Sequence, residues 1–441
     1  MRKTKLPINW IISDIETCID ILDNIRKPIN AKERAKRQGK IPYYGATGIA
    51  GNIDDYIFDE ELVLLGEDGA PFFDKGKDVA YLINGKSWVN NHAHVLRAKT
   101  FITSNKFLLH FLNQFNYEGY VGGTTRLKLN QRNLKSIPLP LPPRLEQDRI
   151  VAKVDTLMAQ IATMKKSMER IPELLKDFRQ QVLTQAVTGK LTEEWRGSST
   201  VKVESPIMIG ETSENSIISW KWINLNEIAK LESGHTPRKS VPEYWENGDI
   251  PWISLQDIRA AHGKIIIDTK FKPTALGIEN SSARLLPKGT VCFSRDISVG
   301  YTTIMGSEMA TTQHFANWIC GEKLNNLYLM YAFMSSSSYL VHKGKGTTVK
   351  TLYYKDLKKM MLYMPPIEEQ SKIVILVENL LAKADAIEQQ YKSLKAKIDT
   401  LPQAILHKAF KGELVEQLES DGDARELLRE IEGLKKLSKV K

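Results

Sequence analysis

The sequence has little of what would place it in several common classes. Three cysteines occur in 441 residues, Cys18, Cys292 and Cys320, an odd number, far apart and outside any Cys-x-x-Cys spacing. A disulfide framework or a cysteine-built metal centre is therefore not expected, and the thiols should be reduced. No apolar run approaches the roughly 20 residues of a membrane-spanning helix. The basic start Met1-Arg-Lys-Thr-Lys leads into an interrupted stretch, Leu6 to Cys18, without the apolar centre of a signal peptide. A cytoplasmic chain is the simplest expectation. Catalytic motifs are missing too. There is no Asn/Asp-Pro-Pro-Tyr methyltransferase motif. Residues Ala80 to Ser87 end in Gly85-Lys86-Ser87 but have Ala where a phosphate-binding loop needs its first Gly, and Trp88-Val89 continues as a strand. Carboxylates such as Glu67-Asp68 and Asp249 have no spacing that singles out a metal site.

What is present begins with length and charge. A chain of 441 residues with 42% apolar content predicts two or three globular domains. A net charge of +10 and a pI near 9.1 favour a polyanionic partner, most economically nucleic acid. The organising feature is an internal repeat: Pro142 to Leu191 returns as Pro365 to Leu414, 223 positions later and without a gap. Pro142-Pro143, Glu146-Gln147, Ile150-Val151, Gly189 and Leu191 recur as Pro365-Pro366, Glu369-Gln370, Ile373-Val374, Gly412 and Leu414.

Inside each copy an apolar seam steps by alternating fours and threes, from Ile150 to Val182 and from Ile373 to Ile405. That is the 3.5-residue period of a coiled coil. A seam one stripe wide asks for one partner helix, and the matching copy lies in the same chain. Antiparallel pairing is expected, since a parallel pair would force the intervening chain to run back along a rod on the order of 50 Å long. Pro172 and Pro402 fall inside the pattern at non-equivalent places and are expected to kink their helices rather than end them. The faces outside the seam, with Gln147, Arg149, Gln370 and Lys372, are expected to dock partner subunits.

Each helix follows a mixed α/β domain of one design, so the fold expected is α/β (α+β) with an internal pseudo-twofold repeat. Residues 1–143 form the first domain, 144–191 the first long helix, 192–219 an exposed linker, 220–364 the second domain, 365–412 the second helix and 413–441 a charged terminal helix. In the first domain a basic segment, Arg26 to Lys40, precedes an aromatic, turn-rich loop, Ile41-Pro-Tyr-Tyr-Gly-Ala-Thr-Gly. The segment is read as either a solvated helix face or a phosphate-contacting loop. His92 and His94, on one face of a predicted strand, are read as hydrogen-bonding structural histidines, because no third metal ligand is near in sequence. In the second domain Gly248-Asp-Ile-Pro-Trp-Ile parallels Ile41-Pro-Tyr-Tyr, and Thr311-Thr-Gln-His-Phe stands where Asn90-Asn-His-Ala-His stands in the first. Gly123-Thr124-Thr125 returns as Gly346-Thr347-Thr348.

These blocks resemble the DNA-specificity subunit of type I restriction-modification systems over nearly the whole chain. The resemblance rests on Tyr43-Tyr-Gly-Ala-Thr-Gly, Trp88-Val-Asn-Asn-His-Ala-His-Val-Leu, Gly248-Asp-Ile-Pro-Trp-Ile, Leu285-Leu-Pro-Lys-Gly-Thr-Val, the paired Pro-Pro-x-x-Glu-Gln openings and Ala409-Phe-Lys-Gly-Glu-Leu. Thr312-Gln313 departs from the Asn-Gln frequent in the family. The resemblance implies two target-recognition domains, each reading half of a split double-stranded DNA site, and two helices that set the spacer and dock two modification subunits, with restriction subunits joining through the complex. It implies no catalysis and no cofactor in this chain, with S-adenosylmethionine, ATP and Mg on the partner subunits. The alternative is a stand-alone metal-dependent nuclease or DNA-modifying enzyme.

Base contacts depend on side-chain geometry, so candidates are chosen by loop. They are Arg26, Lys27, Arg37, Tyr44, Asn90, Thr125, Arg126 and Lys128 in the first domain. In the second they are His235, Arg238, Lys239, Gln256, Arg295, Gln313, Lys345, Thr347 and Lys350. About half are expected to be phosphate contacts or plain surface.

Overall fold

The computed structural model describes residues 6–74, 76–197, 205–212, 217, 219–347, 349–427 and 429–430. The chain folds as two compact units, one running through Glu169 and resuming at Tyr391, the other from Arg170 through Gln390. Both boundaries fall within the repeated helical segments, so each unit owns one domain and a part of each helical copy.

In the first unit an antiparallel sheet has the order Ile19–Ile21, Ala93–Ala98, Leu62–Gly66, Ala80–Ile83. Its strand Leu62–Gly66 is buried on both faces, and the two-residue alternation of a strand serves two cores. Val63 and Leu65 pack with Phe107 and Phe111, while Leu62 and Leu64 pack with Phe58, Val89 and Val95. The segment Ile41 to Gly48, expected as a loop, is instead a hairpin of Ile41–Gly45 and Gly48–Ile53. Ile41–Gly45 also runs parallel to Lys86–Val89, with Tyr43 opposite Trp88. The single strand expected around Trp88 to Leu96 is broken at Asn90 to His92, leaving Lys86–Val89 and Ala93–Ala98 in different sheets. The helix Asn105–Gln114, capped by the Ser104 hydroxyl, buries Phe107, Leu108, Phe111 and Leu112 on one stripe. The Phe107 and Phe111 rings meet Phe410 at 5.1 and 5.4 Å.

The second unit repeats this plan. Lys221–Asn224 pairs with Met360–Met364 as Ile11–Asp14 pairs with Pro138–Leu141. A five-stranded sheet has the order Ala229–Ser233, Phe315–Cys320, Val291–Ser294, Thr302–Met305, Ile265–Ile266. Trp252–Ile253 runs parallel to Ala310–Thr311, matching the parallel pair of the first unit. One departure lies in the expected linker. Ile207–Ile209 pairs with Met360–Met364 as a further strand, because Pro206-Ile-Met-Ile is apolar enough to be buried although its surroundings are polar.

The helical copies differ at their prolines. The first copy stops at Met168 and restarts as Ile171–Val187 with Pro172 in the new first turn, so Pro172 ends a helix rather than kinking one. A proline there lacks the donor for the carbonyl four residues earlier and suits the start of a helix. The second copy, Ile367–Ala409, runs unbroken with Pro402 inside it. Seam burial is uneven. Ile150, Val154, Ile161, Ile373, Val377 and Ala384 are buried, whereas Met164, Ile387 and Leu394 are about half exposed, since a lone partner helix covers one side only.

Pairing is antiparallel, and in each unit a tryptophan records it. The Trp10 indole donates to Glu146 at the start of the first copy (3.0 Å), and a Cβ on Gly412 at the end of the second copy would meet Trp10 at 3.4 Å. In the other unit Trp220 donates to Glu369 at the start of the second copy (3.0 Å), and a Cβ on Gly189 at the end of the first would meet Trp220 at 3.3 Å. Cross-helix ion pairs agree: Lys165 to Asp399 at 3.0 Å, and Arg179 to Asp385 and Glu388 at 2.7 Å each.

The Pro-Pro-x-x-Glu-Gln signature is structural, which corrects the docking role given to its glutamines. Gln147 is buried and donates to the carbonyls of Ile102 and Pro142; Gln370 is buried and donates to those of Lys323 and Pro365. Arg149 is held by Asp421 and the Glu416 carbonyl of its own unit. The segment after Gly412, expected as a helix throughout, is irregular to Asp423 apart from a short turn, Glu419–Asp421; it is helical from Ala424, and residues 431–441 lie outside the described residues.

Candidate nucleic-acid interface

In the first unit the Gly-Thr-Thr segment caps a hairpin of Val121–Gly122 and Lys128–Leu129. Gly123 has φ 103°, and a Cβ there would meet the Arg126 carbonyl at 2.3 Å, so the turn requires glycine. Thr125, Arg126 and Lys128 are exposed on this hairpin. Its root is fixed by Asp68, which bridges to Lys128 and whose carboxylate lies 2.7 Å from His92 Nδ1 and 2.5 Å from Arg126. Asn90 is buried and accepts from the His92 backbone N–H at 2.8 Å, so it positions this histidine. Tyr44 is half-buried beside Tyr81, ring centroids 5.9 Å apart.

Behind the hairpin lies a second charged cluster. His94 is buried between Asp23 (2.6 Å) and the Leu129 carbonyl (2.9 Å), as a structural histidine. Burial raises the Asp23 carboxyl, but the His94 hydrogen bond and charge, with help from Arg26, hold it below the usual range. Asp23, Glu67 and His94 are spaced as metal ligands could be. Their positive charge is already supplied by Arg26, 2.7 Å from Glu67 and 3.4 Å from Asp23 with its side chain 12% exposed. Arg26 therefore serves an internal carboxylate cluster rather than an open surface. Lys27 and Arg37 lie together elsewhere, at Trp88. The Trp88 indole donates to the Lys27 carbonyl at 2.7 Å, and Arg37 covers the Trp88 ring at 4.8 Å while pairing with Asp54 at 2.7 Å.

The second unit rebuilds the frame from different neighbours. Asp296 lies 2.7 Å from His314 Nδ1, and the Thr312 hydroxyl accepts from the His314 N–H at 3.1 Å, as Asn90 does for His92. The hairpin is rooted by bridges from Thr351 to Asp296 and Lys345, and Gly346 has φ 111°. Lys345, Thr347 and Lys350 are exposed on it. Arg295 donates to the Gln313 carbonyl at 2.9 Å and stacks on Tyr354 at 5.1 Å. Exposed Gln313 accepts from Thr236 at 2.7 Å, which brings the His235 loop onto the same face. Arg238, Lys239 and Gln256 form a neighbouring patch. The Trp252 indole donates to the His235 carbonyl, Trp245 donates to that of Arg238, Lys239 lies 6.0 Å from the Phe271 ring, and Lys270 donates to Gln256.

Asp68, His92, Asp296 and His314, the fixed parts of both frames, lie outside the loop-chosen candidates. The histidine recurs as a motif in the sequence; its aspartate is 24 residues distant in one domain and 18 in the other, with no shared flanks. Chemically, each frame offers exposed cations and a threonine hydroxyl beside a rigid hairpin, a donor set that meets phosphates and base edges.

The family model for the type I restriction modification DNA specificity domain matches residues 8–173 and again 218–396. The chain is 28% identical over 456 residues to the type I restriction enzyme EcoKI specificity subunit of Escherichia coli K12, covering 95% of this chain and 92% of that one. It is 27% identical to the StySPI specificity subunit of Salmonella potsdam, over 95% of this chain and 92% of that one. Its fold is similar to that of the HsdS subunit from Thermoanaerobacter tengcongensis, with TM-score 0.62 and 19% identity over 94% of this chain and 99% of the other. Two family matches, falling on two similarly built domains with duplicated hairpin frames, place the chain in the type I restriction-modification DNA specificity family.

Proposed function

We propose that this chain is the sequence-reading subunit of a type I restriction-modification complex, each domain reading one half of a bipartite double-stranded DNA target. The observation that carries the reading is the duplicated frame, an aspartate–histidine pair at the root of a hairpin turned at a left-handed glycine, with Arg126 and Lys128 exposed on one and Lys345 and Lys350 on the other. The recognition segments are 1–143 and 220–364. The long helices set the spacer and carry two modification subunits, through which restriction subunits join. S-adenosylmethionine, ATP and Mg act on those partners, in the cytoplasm, and this chain does no chemistry. In support, the one ligand-like cluster among the described residues has Arg26 as its cation. The test is exchange of residues 1–141 for a homologous domain, followed by methylome sequencing. One half-site should change and the other persist; a change in both would refute independent reading. Cleavage or methylation by the purified chain alone, with Mg and S-adenosylmethionine, would establish the enzyme alternative.

A further inference from the structure

Ile297 has φ 54°, in the left-handed region, and the other non-glycine residue there among those described is Asn247. Asparagine tolerates that region; a β-branched side chain does not, because its branches crowd the backbone. In the first domain the residue that likewise follows the histidine-bound aspartate is Gly69, with φ 71°. The turn thus needs the same backbone twice. Glycine adopts it without strain in one domain, and the other holds an isoleucine in it.

The strain is held from both sides. Asp296 is fixed by His314 at 2.7 Å and by its bridge to Thr351, and the Ser298 hydroxyl accepts from Arg259 Nε at 2.8 Å. Strained residues persist where the surroundings over-determine them, and they cluster at binding sites. Nor is this side chain used for packing, for it is 49% exposed. Val349, which by the 223-residue repeat occupies the place of Arg126, is 45% exposed. In the first domain a Cβ at Gly69 would meet Arg126 Nε at 3.2 Å. At matching positions one frame therefore has a glycine and a guanidinium, and the other has two exposed β-branched apolar residues. Those two belong to a surface carrying Arg295, Gln313, Lys345 and Lys350, whose chemistry suits DNA. The apolar group that DNA displays on its major-groove edge is the thymine methyl.

We infer that Ile297, with Val349, is a specificity residue that reads a thymine methyl in the second half-site. This rests on the DNA-reading function proposed above. The test uses the full chain assembled with its modification subunits, and duplexes in which each thymine of the second half-site is replaced in turn by uracil, which removes only the methyl. The wild type should lose about fourfold in affinity at one position, the worth of one buried methyl group. Ile297→Gly relieves the strain, so folding is retained, and it should bind the thymine and uracil duplexes equally at that position. An unchanged thymine-to-uracil ratio in Ile297→Gly, a wild type indifferent to every replacement, or a second half-site without an A·T pair would each overturn the inference while leaving specific binding intact. A complex with no sequence preference in either half would overturn the underlying reading instead.

Discussion

Replacing Glu369 by Gln should destabilise its unit far more than the same change at Glu146 destabilises the other, although the repeat makes the two residues equivalent. The Glu369 carboxylate is buried against Arg196 at 2.5 Å, Thr192 at 2.7 Å and the Trp220 indole at 3.0 Å. Arg196 and Glu369 are only 7% and 2% exposed, so the amide would remove one charge of a buried ion pair. Removing one partner of a buried pair costs about 3–5 kcal/mol. Glu146 accepts from neutral groups, the Trp10 indole and Gln417 at 3.0 Å each and Asn9 at 3.4 Å. There the exchange weakens charge-assisted bonds, at about 1–2 kcal/mol. For units of this size the midpoints should fall by on the order of 10 °C and about 4 °C respectively. Calorimetry reads the shifts, and hydrogen exchange in the helices Asn326–Ser335 and Asn105–Gln114 assigns each to its unit. Arg196→Met combined with Glu369→Gln should recover part of the loss. Equal shifts for the two glutamates, or a double variant as unstable as the sum of the singles, would refute the reasoning.

Gly189→Ala and Gly412→Ala should each cost about 2–3 kcal/mol in chemical unfolding, because both glycines have positive φ (78° and 74°) and a Cβ would meet Ile217 at 2.5 Å or Pro7 at 2.3 Å. A heptad added after Met164 and another after Ile387 should lengthen the helical pair by about 10.5 Å and the unread spacer by roughly three base pairs. A methylome with an unaltered spacer, from a variant that still assembles, would refute the spacer-setting role of the helices. Burial holds the His110 imidazole below its ordinary 6.5 despite its bond to Asp155, so the unfolded chain takes up that proton first. The resulting stability is complete above pH 6.5 and declines as pH falls below it, and His110→Gln should flatten this part of the pH–stability curve.

Periodicity and repetition carry most of the architecture, because both are properties of the linear order. The seam from Ile150 to Val182 and its copy require two matched helices, and the chain between them makes antiparallel pairing the economical one. The order of blocks is likewise readable in the apolar-Pro-aromatic step that recurs at Tyr43 and Trp252, whereas its place in a parallel strand pair, Tyr43 opposite Trp88 and Trp252 opposite Ala310, comes from the fold. What tertiary structure decided is which polar residue faces where. Gln147 and Gln370 read as surface because glutamine usually is, yet each is buried where two carbonyls await its donors. Arg26 sits in a basic run that looks like a phosphate contact, and only the fold brings Glu67 and Asp23 around it. The Asp68–His92 and Asp296–His314 pairs join residues whose sequence separations differ, so no spacing rule could link them. Nothing in the linear order marks Ile297; its exposure and left-handed backbone exist only because Asp296 and Ser298 are both held in place by other parts of the chain.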